Sequence, residues 1–130
     1  MKISTAVALC IATLAMPLSA ADTSTKVLFA RGSSSATIRG GVRGFDTITY
    51  LVGARAGQTM TVTFKPANGS AYFSVTAPGA DAAVFMGDVG GNRFSTMLPS
   101  SGDYRVQTYL MRNAARRGES AGYTITFTVR

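Results

Sequence analysis

Histidine and tryptophan are both absent from this chain, and its one cysteine, Cys10, lies in a leader-like start. Beyond that start no thiol and no imidazole remains. Acid–base or nucleophilic catalysis by histidine or cysteine is therefore excluded, as is any disulfide. Acidic residues number only six. A carboxylate pair can hydrolyse a glycoside, but Asp46, Asp81, Asp88, Asp103 and Glu119 fall mostly in turn segments, where an aspartate normally hydrogen-bonds the local backbone. An enzyme is not expected. A metal site would need oxygen ligands alone. Asp88 to Asn92 (D-V-G-G-N) has the outline of a calcium loop without its dense carboxylates or distal glutamate, and reads better as a glycine-rich turn. No cofactor and no metal is expected.

Long hydrophobic runs are also missing, apart from one short stretch at the start. Lys2 supplies a charged beginning, Val7 to Leu14 an apolar run, and Pro17-Leu18-Ser19-Ala20-Ala21 a small-residue exit. This is a secretory signal peptide, too short and wrongly flanked to span a membrane. Cleavage is placed before Asp22, with a cut after Ala20 as the alternative. Leu9 precedes Cys10 where a lipoprotein wants a small residue, so no lipid anchor is assigned. Residues 1–21 are thus read as a cleaved leader and 22–130 as one exported domain. Export without disulfides suits a bacterial periplasm, where bridges are possible but not obligatory.

What is abundant is arginine. The 13 basic residues, less Lys2, face 6 acidic ones, a balance of +6 after the leader, and ten of those twelve bases are arginine. Arginine favours planar, bidentate contacts to carboxylate or phosphate. Nucleic acid is the usual partner of such a balance, but an exported protein seldom meets it. The expected targets are anionic envelope polymers or an acidic cleft on another protein. Arg31, Arg55 and Arg130 are read as solubilising charge.

Alternation of period two runs through most of the chain. Strands are expected at Lys26–Ala30, Ala36–Arg39 (ending at Gly40-Gly41), Phe45–Val52, Thr59–Lys65, Tyr72–Ala77, Ala82–Met86 and Arg93–Leu98. In the last third, Tyr104, Val106, Thr108 and Leu110 share one face, and Tyr123, Ile125, Phe127 and Val129 share another. Eight or nine short strands without a helical period predict an all-β, single-domain, jelly-roll-like sandwich. The segments A-G-Q-T-M-T-V-T-F and S-S-G-D-Y-R-V also look like strands of bacterial pre-peptidase C-terminal modules.

Between the last two strands lies N-A-A-R-R-G-E-S-A-G, which breaks the alternation and concentrates charge. Asn113 to Gly118 reads as one helical turn, with Asn113 as N-cap and Gly118 as left-handed exit. Arg112 and Arg116, four apart, then project from one side and can grip carboxylates bidentately. The bland alternative is a solvated basic turn.

From about Lys26 onward the chain resembles the bacterial periplasmic inhibitors of goose-type (g-type) lysozyme. The matching residues are G-G-V-R-G-F-D-T-I-T-Y at 40–50, A-G-Q at 56–58, L-P-S-S-G-D-Y at 98–104, R-N-A-A-R at 112–116 and the closing Y-T-I-T-F-T-V. The resemblance implies a signal peptide, a β-sandwich and loops that plug the lysozyme's substrate cleft. By position, Ser101, Gly102 and Tyr104 match the family's Ser-Gly-x-Tyr motif, and Arg112, Asn113 and Arg116 its arginine loop. These six are the candidate lysozyme-binding residues, with g-type lysozyme as partner and a monomer as the expected state. Inhibitors of chicken-type lysozyme pair Ser-Gly-x-Tyr with a Thr-Lys-Gly loop, which this chain lacks. Tyr104 has a second reading: it alternates with Val106 and Leu110 and so also fits the core. The alternative function is a non-enzymatic envelope or carbohydrate-binding sandwich, which usually presents a planar aromatic platform; the missing tryptophan counts against it.

Overall fold

Side chains of alternating polarity bury one face of a strand and leave the other in water, and two such faces make a sandwich. In the computed structural model, which describes residues 20–130, the strands are β1 (Asp22–Lys26), β2 (Ser35–Arg43), β3 (Thr47–Ala54), β4 (Thr59–Pro66), β5 (Ala71–Thr76), β6 (Phe85–Met86), β7 (Arg93–Met97), β8 (Gly102–Leu110) and β9 (Ser120–Val129). Two helical turns intervene, α1 (Gly87–Gly90) and α2 (Arg112–Arg116). The leader assigned to 1–21 lies, up to residue 19, outside the described residues. Among the described residues no helix is long and apolar enough to cross a membrane.

One sheet has the order β1-β3-β8-β5-β6 and the other β2-β9-β4-β7. β1 runs parallel to β3, while β8 is antiparallel to both β3 and β5. Between the sheets lie Val52, Phe73, Val75 and Val106 from the first and Met60, Val62, Ile125 and Phe127 from the second, all fully buried. The all-β sandwich expected from alternation is the fold observed.

A polar cluster crosses this core. The Tyr50 hydroxyl (β3) lies 2.7 Å from that of Tyr123 (β9), which in turn sits 3.0 Å from Thr108 Oγ1 (β8). Three buried hydroxyls therefore satisfy one another across the two sheets, as buried polar groups must.

Four local expectations are corrected. The first strand is Asp22–Lys26, not Lys26–Ala30. Its five residues are all exposed, so no apolar alternation marks it; backbone pairing with β3 holds it. Gly40-Gly41 does not end β2, which runs on to Arg43. Of Ala82–Met86 only Phe85 and Met86 pair, opposite Val75 and Ser74. The turn read at Asp88–Asn92 begins as the α1 helical turn and exits at Gly91 with φ 92°.

Candidate functional site

The turn between β8 and β9 is built by two alanines. Ala114 and Ala115 are buried, while Arg112, Asn113 and Arg116 on the same turn are exposed. Ala115 N–H donates to Met111 O (2.9 Å), and Gly118 N–H to Ala115 O (3.0 Å). Gly118 takes φ 67°, a left-handed exit that glycine makes without steric cost. Asn113 is not the N-cap: Met111 occupies that place, and no side chain caps the turn. Helix therefore starts one residue before the asparagine, with Arg112 in its first turn.

The turn is tied to its neighbours through backbone. Met111 N–H donates to Ser70 O (2.8 Å), and Gly44 N–H to Glu119 O (2.9 Å). Among the described residues the one ion pair is Arg117 with Glu119, 2.5 Å from Nη2 to Oε2. Arg112, Arg116 and Arg43 make none with any described residue.

Phe45 stands in the turn joining β2 to β3, 55% exposed. On one side of it an open cleft of about 580 Å³ is lined by Tyr72, Asp88, Tyr109, Met111 and Arg112. On the other a hollow of about 310 Å³ is lined by Arg43, Asp46, Ala115 and Arg116. One exposed aromatic residue thus lines two hollows, each edged by arginine. Sequence reading missed Phe45 because it took the residue as the start of a strand; the signal was Gly44 before it, which at φ 59° makes a turn there.

The other half of the candidate site has a different character. Tyr104 is 1% exposed, and its hydroxyl donates to Ser100 O at 2.7 Å. Ser101 Oγ accepts from Ala56 N–H at 2.8 Å. Gly102 has φ 139°, and a Cβ there would lie 2.9 Å from Pro78 Cβ. These residues close the end of the sandwich against the Arg55–Gln58 turn, where Gly57 N–H also bonds Leu98 O (2.9 Å). Of the two readings of Tyr104, the geometry matches the core one.

The two halves lie at opposite ends of one strand. β8 begins at Gly102 and ends at Leu110, nine residues in all, which at the usual rise puts its ends about 27 Å apart. Arg112, Asn113 and Arg116 are brought together at one end; Ser101, Gly102 and Tyr104 sit at the other. Among the described residues no three acidic side chains converge to hold a metal ion.

Comparison with known proteins bears on this geometry. No family model matches the chain. The inhibitor of g-type lysozyme of Escherichia coli (strain K12) is 29% identical over 119 residues, 85% of this chain and 84% of that protein. The crystal structure of a Salmonella Typhimurium periplasmic inhibitor of g-type lysozyme superposes with a TM-score of 0.66 at 28% identity, covering 83% of this chain and 98% of that one. The pre-peptidase C-terminal domain of a Bacillus anthracis collagenase, 15% identical with a TM-score of 0.54, shares the fold. The periplasmic inhibitor of g-type lysozyme from Aeromonas hydrophila reaches a TM-score of 0.78 at 39% identity, over 85% of this chain and 98% of its own. By that identity and coverage, the chain belongs to the family of periplasmic inhibitors of g-type lysozyme.

Proposed function

We propose that this protein is a periplasmic, non-enzymatic inhibitor of g-type lysozyme, and that its arginine end enters the enzyme's substrate cleft. The observation that carries the second part is α2, where Arg112 and Arg116 project into solvent from a turn fixed by buried Ala114 and Ala115. Glycosidases cleave with carboxyl groups flanking the scissile bond. A guanidinium group in that cleft pairs with a carboxylate and occupies the sugar's place. Arg43, the last residue of β2, and Phe45, from the turn after it, widen the contact. Asn113, exposed between the two arginines, contributes hydrogen bonding.

Ser101, Gly102 and Tyr104 take a different role in this reading. They set the far end of β8, and with it the register of the strand that delivers α2.

The test is a parallel titration of goose-type and chicken-type lysozymes, scored as residual wall-lysing activity. Stoichiometric loss of goose-type activity alone is expected; sparing of the goose-type enzyme would remove the function. A buried interfacial charge pair is worth about 2–5 kcal/mol by truncation, so Arg112→Ala and Arg116→Ala should each weaken inhibition by about 30-fold or more. Because neither arginine is ion-paired within its own domain, both variants should melt within about 3 °C of the parent. Inhibition by both at parental strength would place the docking surface elsewhere.

A further inference from the structure

The outer face of the five-stranded sheet carries two tyrosines side by side. Tyr72 of β5 and Tyr109 of β8 are direct cross-strand neighbours, with ring centroids 6.2 Å apart and planes tilted by 41°. Together with Phe45, Asp88 and Arg112 they line the open cleft of about 580 Å³. α1 delivers the carboxylate. Its first residue, Gly87, lies so close to β5 that a Cβ there would meet Phe73 O at 2.7 Å, and the next residue, Asp88, lines the cleft with the tyrosine pair.

One atom in this cleft is anomalous. The Tyr109 hydroxyl is buried and has no hydrogen-bond partner among the described residues. The buried hydroxyls of Tyr50, Tyr104 and Tyr123 are all partnered. Leaving such a group unpaired is unfavourable, and a bound acceptor removes that cost. Burial, then the charge of Asp88, then Tyr72 raise the Tyr109 pKa, so the phenol stays a donor at neutral pH.

The mixture of groups selects the occupant. An apolar peptide side chain would cover the rings but strand Asp88, Arg112 and the phenol. A sugar ring has C–H faces for the aromatic surfaces, hydroxyls for the carboxylate and the phenol, and, when it carries an acid, a carboxylate for the guanidinium fork. The balance of +6 after the leader (12 basic against 6 acidic residues) favours an anionic glycan in particular. We propose that this cleft binds an acidic sugar of a cell-envelope glycan, its ring over Tyr72 and Tyr109, its hydroxyls on Asp88 and the Tyr109 hydroxyl, and its carboxylate on Arg112. The tyrosine pair takes the place of the missing tryptophan platform. This site goes beyond lysozyme inhibition and shares Phe45 and Arg112 with the surface assigned to it.

The experiment is an amide NMR titration of the protein with the β-1,4-linked disaccharide of N-acetylglucosamine and N-acetylmuramic acid, with chitobiose as the carboxylate-free control. Saturable shifts confined to the region of residues 72, 88 and 109–112 are expected, with chitobiose bound more weakly. Tyr109→Phe should weaken the acidic disaccharide about 3- to 10-fold, the loss of one hydrogen bond, while melting no lower than the parent and inhibiting lysozyme as the parent does. Arg112→Ala should erase the preference for the acidic sugar and weaken inhibition too. The proposal is overturned by the absence of saturable shifts, by equal binding of the two sugars, or by unchanged sugar affinity in Tyr109→Phe. Loss of lysozyme inhibition in Tyr109→Phe would also overturn it, by giving the cleft to the enzyme.

Discussion

Replacing Gly40 by alanine should destabilise this domain against the intrinsic trend of the substitution. Gly40 lies within β2 opposite Tyr123, and its φ is not in the left-handed region. In an ordinary strand, exchanging glycine for alanine stabilises by about 0.5–1 kcal/mol. Here an added Cβ would sit 2.6 Å from the Tyr123 hydroxyl oxygen and 2.8 Å from both Tyr123 Cζ and the Tyr50 hydroxyl. Neither ring has an easy retreat: Tyr50 is 3% and Tyr123 5% exposed, Tyr50 packs on Phe127, and Tyr123 packs on Phe64. Overpacking of this kind costs about 1–3 kcal/mol. Pushing the rings apart also endangers the 2.7 Å and 3.0 Å bonds that join Tyr50, Tyr123 and Thr108, at about 0.5–1.5 kcal/mol each. The net expectation is a loss of about 2–4 kcal/mol, or a fall in Tm of at least about 8 °C. Gly41→Ala is the internal control, because its Cβ would lie 3.4 Å from the nearest atom, Ala121 O, an ordinary contact. Thermal melts followed by far-UV circular dichroism measure both. A Gly40→Ala protein that melts with or above the parent would show that the hydroxyl cluster yields freely and does not fix the distance between the sheets.

The same cluster makes stability fall at alkaline pH. Burial, followed by the hydrogen bond shared with Tyr123, raises the Tyr50 pKa well above its usual value, so the folded state holds a proton that the unfolded chain releases from about pH 10. Above that pH the unfolded state binds fewer protons and stability drops as pH rises; below it the contribution is complete. Tm measured from pH 8 to 11.5 should decline above about pH 10, and Tyr50→Phe should flatten that decline. An unchanged slope in the variant would assign the alkaline loss elsewhere. At the far end of β8, Tyr104→Phe removes a hydroxyl that donates to Ser100 O at 2.7 Å. It should cost about 1 kcal/mol, lowering Tm by about 4–8 °C, with lysozyme inhibition at 25 °C within about twofold of the parent. A tenfold loss there would return Tyr104 to the contact surface.

What could be seen in the sequence was whatever leaves a periodic trace. β8 and β9 are half-buried, and their inward residues, Tyr104, Val106, Thr108 and Leu110 with Tyr123, Ile125 and Phe127, are the buried ones. The helical turn at Ala114–Ala115 and its glycine exit were also legible, because a left-handed exit restricts the choice of residue. β1 left no trace, being wholly exposed and held by backbone pairing with β3 and a hydrogen bond from Thr47 Oγ1 to the Asp22 carboxylate. Gly40-Gly41 misled for a different reason. A glycine inside a strand can mark a close approach as well as an end, and only the position of Tyr123 across the sheet tells the two apart. The site divided for a geometric reason. Ser101 and Arg112 are close in sequence, but the chain between them is extended, and an extended chain carries residues apart faster than any other regular form.

That separation bears on how a domain without disulfides presents the turn proposed to dock. A short exposed loop that must be ordered on binding loses affinity to the ordering entropy. Here the ordering is done by the fold. Ala114 and Ala115 are pressed into the core cluster, and backbone bonds tie the flanks of α2 to Ser70 and Gly44. Arg117 is held by Glu119. Such an exposed pair adds little stability, about 0–1 kcal/mol, but it turns that one guanidinium toward its own domain. Arg112 and Arg116 have no such partner among the described residues and keep their full hydrogen-bonding capacity. Rigidity in this chain comes from two buried methyl groups and two main-chain bonds, and the arginines emerge from it already in place.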